Sequence, residues 1–84
     1  MPFFCYILKC SDGTFYTGWT TDPLRREKQH NAGTGSRYTR MRRPVKMMYV
    51  EEQPDRTSAM KREIAIKKMS RAAKSKLIGS RPDV

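Results

Sequence analysis

The sequence predicts an α+β fold, with helices packed against a three-stranded antiparallel sheet in the order β-β-α-β-α-α. Two segments rich in aromatic and β-branched residues flank a turn near the start of the chain, and a third lies near its middle. Helix-start signals follow the second and third of these segments. Hydrophobic residues form 37% of the 84-residue chain, so a small core is expected. We therefore expect one domain over residues 1–80 and a frayed tail over residues 81–84.

Local signals place the bounds of each element. The predicted strands cover residues 3–10, 14–20 and 45–52. The predicted helices cover residues 23–33, 56–69 and 70–79. Asp22 is the expected N-cap of the first helix, because Pro23 suits the first helical position. The Gly- and Arg-rich segment 33–44 is expected to be a loop.

The first hairpin decides whether two tyrosines share a face of the sheet. A two-residue loop would place Tyr6 and Tyr16 on opposite faces. A three-residue loop, Ser11-Asp12-Gly13, would pair Tyr6 with Gly18 and place both tyrosines on one face. We favour the three-residue loop, because Gly13 then occupies the bulge position that needs left-handed φ. Gly18 has no side chain, so the Tyr6 ring beside it should stay reachable.

The most prominent global property is positive charge. Lys and Arg number 18 against eight Asp and Glu, which gives a net charge of +10. Such a charge predicts attraction to polyanions, with nucleic acid first and an anionic membrane surface second. The membrane role is the poorer one, because no predicted helix combines a broad apolar face with interfacial aromatic residues. No apolar run is long enough to span a membrane, and we expect a cytoplasmic protein.

Arg26 and His30 lie four positions apart, so they share a face of the first predicted helix. The short connection from Gly18 lets this helix bring Arg26 toward the tyrosines, whereas the adjacent Arg25 should point to solvent. His30 is the sole histidine, and a lone histidine on a helix often has no special role. Tyrosines on strands are likewise often core residues. These alternatives stay open on the residues alone.

Glu63 is an unusual residue in the second predicted helix, because it lies in the middle of an apolar stripe. The stripe consists of Ala59, Met60, Ile64 and Ile66. A carboxylate on an apolar face costs free energy unless it is paired or bound to a cation. Glu63 is therefore either a metal ligand or half of an ion pair with a neighbour such as Arg26.

A cluster of arginines surrounds a tyrosine in the predicted loop. Its members are Arg37, Tyr38, Arg40, Arg42 and Arg43. Arginine suits phosphate groups, and tyrosine can stack on a base. A solvated basic loop is the alternative, but the global charge favours contact with nucleic acid.

Taken together, these residues resemble the GIY-YIG nuclease superfamily. The two name-giving segments look like Cys5-Tyr6-Ile7 and Tyr16-Thr17-Gly18. The family's helical arginine falls on Arg26, its histidine on His30, and its metal-binding glutamate on Glu63 within KREIAIKK. The resemblance spans about residues 4–78 and looks closest to the small standalone bacterial proteins of this superfamily. Cys5 and Thr17 depart from the family pattern, and neither position supplies a family catalytic group.

The resemblance implies hydrolysis of a phosphodiester bond with one divalent metal, Mg²⁺ or Mn²⁺, held by Glu63. It implies that Arg26 contacts the phosphate, that Tyr6 acts as the base and that Tyr16 holds water or phosphate. His30 would pass the proton on. The expected partner is nucleic acid, with DNA favoured, and a protein partner is expected to help recognise the substrate. The alternatives are a module that binds DNA or structured RNA without cleaving it, and a small RNA- or ribosome-associated protein.

Overall fold

The computed structural model describes residues 2–80 and has the predicted α+β architecture. Its strands are β1 (Phe3–Lys9), β2 (Phe15–Thr20) and β3 (Lys46–Gln53). Its helices are α1 (Pro23–Asn31), α2 (Arg37–Arg40), α3 (Arg56–Lys67) and α4 (Arg71–Gly79). The predicted fold class is therefore confirmed, and the predicted tail over 81–84 lies outside the described residues. No helix within residues 2–80 is long and apolar enough to cross a membrane.

The strands form one antiparallel sheet in the order β2-β1-β3, with β1 at its centre. Successive side chains of β1 alternate between the two faces. Cys5 and Ile7 belong to a core cluster with Ala59 and Ile66 of α3, so α3 covers this face. The tyrosine face of β1 contributes to a second, separate cluster that includes Val45. The sheet is thus buried on both sides, and α3 lies on the face opposite the tyrosines.

The hairpin has the predicted three-residue loop. Tyr6 pairs with Gly18 and Leu8 with Tyr16, so the two tyrosines share a face, as predicted. Gly13 has φ +85°, and its N–H donates to the carbonyl of Cys10 at 2.9 Å. Glycine adopts this left-handed conformation without steric cost, so it stabilises this register over the two-residue alternative.

Helix α1 starts as predicted, because the Asp22 side chain accepts a hydrogen bond from the backbone N–H of Arg25 and Pro23 follows it. The helix ends at Asn31, and Gly33 has φ +88° just beyond it. The chain therefore leaves the helix slightly earlier than the sequence indicated.

The segment expected to be a loop contains the short helix α2. Ser36 caps it, since the Ser36 side chain accepts a hydrogen bond from the backbone N–H of Thr39 at 3.2 Å. Thr39 is completely buried, so this one turn of helix is anchored in the protein. The prediction of an irregular loop over residues 33–44 was wrong in this part, because the helix is too short to show a periodic apolar pattern.

The predicted apolar stripe on α3 was half right. Ala59 and Ile66 are buried against the sheet, but Met60 is 45% and Ile64 52% exposed. Ala59 and Ile66 are seven residues apart, which is two helical turns, whereas Met60 and Ile64 are rotated away from that line. Glu63 lies between the two buried residues along the helix, so it is on the side of α3 that faces the sheet.

Candidate active site

The ring of Tyr6 lies over Gly18 of the edge strand β2. A Cβ atom at Gly18 would lie 2.5 Å from the Tyr6 hydroxyl oxygen and 2.7 Å from the ring carbon that carries it. The absence of a side chain at Gly18 therefore gives the tyrosine ring its place. The expectation that Gly18 leaves Tyr6 reachable was wrong, because the ring itself fills the gap and Tyr6 is 1% exposed.

The Tyr6 hydroxyl meets two side chains of α1. It lies 2.9 Å from Nε2 of His30, and Nε of Arg26 donates to it at 3.4 Å. Burial raises the pKa of Tyr6 to about 12, the neighbouring Arg26 lowers it, and the Tyr16 and Glu63 groups add to the rise. Tyr6 is therefore a neutral phenol at neutral pH, and its oxygen is the meeting point of β1 and α1.

The guanidinium of Arg26 is held in a fixed orientation. Besides Tyr6, it donates from one Nη to the side-chain oxygen of Gln29 at 3.0 Å and from the other to the carbonyl of Gly35 at 3.1 Å. Arg26 is half-buried at an open cleft of about 290 Å³. Arg25 is exposed, as predicted, but it lines this same cleft. Two cationic groups thus border a space next to the tyrosine cluster.

His30 is completely buried, and both of its ring nitrogens have partners. Nε2 faces the Tyr6 hydroxyl, and Nδ1 lies 2.7 Å from Oγ1 of Thr39 in α2. A Cβ atom at Gly35 would lie 2.3 Å from Nδ1, so the Gly35 backbone covers the ring closely. Burial and the charge of Arg26 lower the pKa of His30 to about 4. The imidazole is therefore neutral at neutral pH, and its exchange of a proton runs through its two hydrogen-bond partners.

Tyr16 is half-buried and stands at the outer side of this cluster. Its ring meets His30 edge-on with a centroid distance of 5.2 Å and stacks on Tyr38 at 5.9 Å and 27°. The guanidinium of Arg42 lies 3.8 Å from the centroid of the Tyr38 ring. Tyr38 was predicted to stack on a base, but Tyr16 and Arg42 already use ring surface that such a base would need. The structure makes it a support for Tyr16.

Glu63 approaches the cluster from the other layer of the fold. Its half-buried side chain is 20% exposed, and its carboxylate lies 3.7 Å from Nζ of Lys67. Its ion-pair partner within residues 2–80 is therefore Lys67 and not Arg26. The Glu63 charge helps to raise the pKa of Tyr6, so the carboxylate is within electrostatic range of the phenol although α3 covers the opposite face.

A divalent metal fits Glu63 as a single ligand. Carboxylate oxygen is the donor that Mg²⁺ prefers, and Mg²⁺ commonly uses one or two carboxylates and keeps several waters. The contact with Lys67 is long and partly exposed, so it would compete weakly. Within the described chain, no group of three or more His, Cys, Asp or Glu residues could hold a metal ion. Glu63 would therefore hold a mostly hydrated ion.

The arginines predicted to contact nucleic acid fall into two classes. Arg42 forms an ion pair with Asp12 at 3.0 Å and donates to the carbonyl of Tyr38. Arg43 donates to the carbonyls of Arg40 and Asn31. The exposed side chains of Arg37 and Arg40 have no hydrogen bond or ion pair in the part of the chain that the structure describes. Arg37 and Arg40 are thus the arginines of this cluster whose charge is unengaged.

Sequence reasoning missed three residues that shape the site. Gln29 and Gly35 hold Arg26, and Thr39 holds His30. Ser36 followed three positions later by Thr39 was a signal for a capped helical turn, which would have directed attention to this segment. Nothing in the sequence alone, however, places its hydroxyl against a ring nitrogen nine residues earlier.

Comparison with known proteins identifies the class to which this arrangement belongs. Residues 2–76 match the GIY-YIG catalytic domain. The match covers most of the chain, so the protein belongs to this family, and the predicted resemblance to it is confirmed. The family indicates a nuclease, and therefore nucleic acid as the substrate.

Its relatives are small proteins of similar length. UPF0213 protein lmo0166 of Listeria monocytogenes is 54% identical over 71 residues, which cover 84% of this chain and 79% of that protein. UPF0213 protein VNG_2274C of Halobacterium salinarum is 51% identical over 72 residues, which cover 86% and 94%. The solution NMR structure of UPF0213 protein BH0048 from Bacillus halodurans is 40% identical, with a TM-score of 0.63 over 99% of this chain and 88% of that one. The fold is therefore shared by an experimental structure.

Proposed function

We propose that the protein is a divalent-metal-dependent endonuclease that hydrolyses phosphodiester bonds in nucleic acid, with DNA as the favoured substrate. One observation carries the proposal: Tyr6, Arg26 and His30 form a single hydrogen-bonded cluster beside an open cationic cleft. A basic protein without such chemistry would need neither a buried neutral histidine nor a fixed guanidinium at a surface opening.

Arg26 is suited to bind the phosphate at the bond that breaks. A guanidinium has five N–H donors, and three hydrogen bonds to the protein orient it and leave two donors over. A preoriented donor stabilises developing charge without reorganisation during the reaction. Arg25 adds a second positive charge to the cleft. The exposed Arg37 and Arg40 provide further attraction to the nucleic-acid backbone.

The two phenols have different roles in this proposal. Tyr16 is half-buried at the outer side of the cluster, so it is placed to hold the attacking water or a phosphate oxygen. Tyr6 is the base of the buried cluster, and it accepts a proton from the water as its own proton passes to Nε2 of His30. The positive charge of Arg26 favours the phenolate, which opposes the cost of burial.

Glu63 would hold the metal, together with water molecules. When bound, the metal neutralises charge on the phosphate and stabilises the leaving oxygen. Glu63 contributes an oxygen ligand from the α3 layer, whereas the tyrosines and Arg26 act from the other face. In this proposal, groups from both layers act on the same phosphate.

A second candidate is a module that binds DNA or structured RNA without cleaving it. One observation favours it: Tyr6 is almost completely buried. In that case Arg26 and the free arginines would grip phosphate groups, and binding would weaken with salt as counterions are released. The expected protein partner and the cytoplasmic location stay predictions of the sequence.

Cleavage of labelled nucleic acids tests the proposal. Single-stranded, duplex, flap and four-way-junction DNA, with RNA alongside, would be incubated with Mg²⁺, with Mn²⁺ or with a chelator. We expect metal-dependent products from the wild type and from Glu52→Ala, and none from Glu63→Ala. Glu52 is an exposed glutamate of β3 and serves as the matched control. Products that persist in Glu63→Ala would contradict the metal assignment, and salt-sensitive binding without any product would favour the second candidate.

A further inference from the structure

A chain of hydrogen bonds runs from the buried phenol of Tyr6 through His30 to helix α2. Its links are 2.9 Å between the Tyr6 hydroxyl and Nε2 of His30, and 2.7 Å between Nδ1 of His30 and Oγ1 of Thr39. We propose that Thr39 fixes which nitrogen of His30 carries the proton and thereby sets the direction of the Tyr6 hydroxyl proton. Thr39 is then a positioning residue of the active site. This role rests on the proposed function, whereas the tautomer of His30 can be measured without it.

The Tyr6 hydroxyl needs an acceptor for its proton. Buried hydroxyl groups in folded proteins are almost always hydrogen-bonded. Two groups contact the Tyr6 oxygen, and one of them, Arg26, can only donate. The other is Nε2 of His30. Tyr6 therefore donates to Nε2, and Nε2 must be the unprotonated nitrogen of the ring.

The neutral ring of His30 carries its one proton on the nitrogen that does not face Tyr6. A neutral imidazole carries one ring proton, so a ring with an unprotonated Nε2 carries its proton on Nδ1. This proton needs an acceptor in turn, because the ring is completely buried and the Gly35 backbone covers it. Oγ1 of Thr39 is the acceptor, at a distance of 2.7 Å.

Oγ1 of Thr39 is able to accept the Nδ1 proton of His30, because its own proton has another acceptor. Its own hydroxyl proton has two acceptors in Ser36, the side-chain oxygen at 2.9 Å and the carbonyl at 3.4 Å. The donors of Tyr6, His30 and Thr39 then each have an acceptor, and the chain points one way, from Tyr6 through His30 and Thr39 to Ser36. The capped turn of α2 holds this arrangement, since the Ser36 side chain also accepts the Thr39 backbone N–H.

The direction of this chain matters for catalysis. Because the Tyr6 proton points to His30, the remaining lone pairs of the Tyr6 oxygen lie on the side of Arg26, whose guanidinium borders the cleft. When Tyr6 takes a proton from the attacking water, its own proton moves to Nε2 of His30, the water oxygen bonds to phosphorus, and the bond from phosphorus to the leaving oxygen breaks. The leaving oxygen departs with the bonding electron pair and takes a proton from solvent. The opposite tautomer would donate from Nε2 to Tyr6, so His30 could not take the Tyr6 proton. The Nδ1–H tautomer is thus the one that makes Tyr6 a proton acceptor.

Two substitutions of Thr39 distinguish the effect of its hydroxyl from the effect of its volume. Thr39→Val keeps the volume but removes the acceptor, so the Nδ1 proton of His30 would be buried without a partner. We expect the Nε2–H tautomer to gain population in this variant. Thr39→Ser keeps the hydroxyl and should retain the wild-type tautomer. Tyr6→Phe removes the hydroxyl that donates to Nε2, so the preference of His30 for the Nδ1–H tautomer should also weaken.

Nuclear magnetic resonance of ¹⁵N-labelled protein measures the tautomer directly, because His30 is the sole histidine of the chain. Long-range ¹H–¹⁵N spectra distinguish a protonated ring nitrogen from an unprotonated one. We expect Nδ1 to be protonated in the wild type and in Thr39→Ser, and a shift toward Nε2–H in Thr39→Val. A wild-type ring protonated on Nε2 would overturn the proposal, as would a Thr39→Val spectrum with the wild-type pattern. The wild-type and Thr39→Ser spectra test it even if Thr39→Val does not fold.

Cleavage kinetics give the functional readout. We expect Thr39→Val to lower kcat about tenfold, the usual effect of one lost buried hydrogen bond, with little change in KM, and Thr39→Ser to restore it. Equal kcat in Thr39→Val and the wild type would overturn the positioning role. The spectra do not need activity, so a correct tautomer in a protein that cuts nothing would refute the nuclease proposal and leave the tautomer assignment intact.

Discussion

Replacing Gly18 with alanine should destabilise the protein and disturb the site together. The new Cβ would stand 2.5 Å from the Tyr6 oxygen and 2.7 Å from the ring carbon that carries it, and real Cβ atoms are not found so close to other atoms. The Tyr6 ring cannot swing outward freely, because it is 1% exposed and its hydroxyl is held by His30. Overpacking of this kind costs about 1–3 kcal/mol. The displaced hydroxyl should also lose its hydrogen bond, so cleavage should fall further than stability alone would explain.

Chemical denaturation with a matched control measures this cost. Gly79→Ala is the control, since nothing lies within 4 Å of a Cβ there, and it should leave stability unchanged or slightly raised. A Tyr6→Val background removes the ring, so Gly18→Ala should cost much less in that background than in the wild type. A change in the free energy of unfolding of less than about 0.5 kcal/mol is the usual scatter of neutral substitutions. If Gly18→Ala causes no more than this, the Tyr6 ring does not lie this close to Gly18.

Two further predictions concern charge. Stability should fall as the pH drops from 6.5, the ordinary pKa of histidine, to the folded pKa of His30 at about 4, because unfolding lets the ring bind a proton. The loss should reach roughly 3 kcal/mol over this window. Thermal unfolding at several pH values should show it as the difference between the wild type and His30→Leu, because the acidic groups with lowered pKa are common to both proteins. Arg26→Lys should lower kcat about 10²–10³-fold because it removes the oriented fork, whereas Arg25→Lys should change it little; equal losses would refute the distinction between them.

Much of the fold followed from short-range signals in the sequence. Gly13 predicted the hairpin register, because its position in the turn needs left-handed φ, and the register in turn put Tyr6 and Tyr16 on one face. The spacing of Arg26 and His30 predicted their common helical face, since residues four apart are neighbours on a helix. These features depend on the residues next to them in the chain, and so they can be read without the tertiary structure.

The failures concern packing between distant segments. Gly18 was interpreted as an empty space, but the Tyr6 ring across the strand fills it. The contacts of the Tyr38 ring with Tyr16 and Arg42 were likewise not indicated by the sequence. The burial of Thr39 against His30 depends on how α2 folds back onto α1. Propensity and periodicity carry no information on such contacts, because they are set by which surfaces meet in three dimensions.

If the proposed function is correct, the division of the site between two layers means that cleavage needs the whole domain. The hairpin and α1 bring the tyrosines, Arg26 and His30 together within the first half of the sequence. The carboxylate of Glu63 comes from α3, which must dock on the far face of the finished sheet. In that proposal the phosphate-binding groups come from the first half of the chain and the metal ligand comes from the second half. Local opening of α3 alone would therefore remove the metal ligand and stop cleavage, while the arginines of α1 and α2 would still attract nucleic acid.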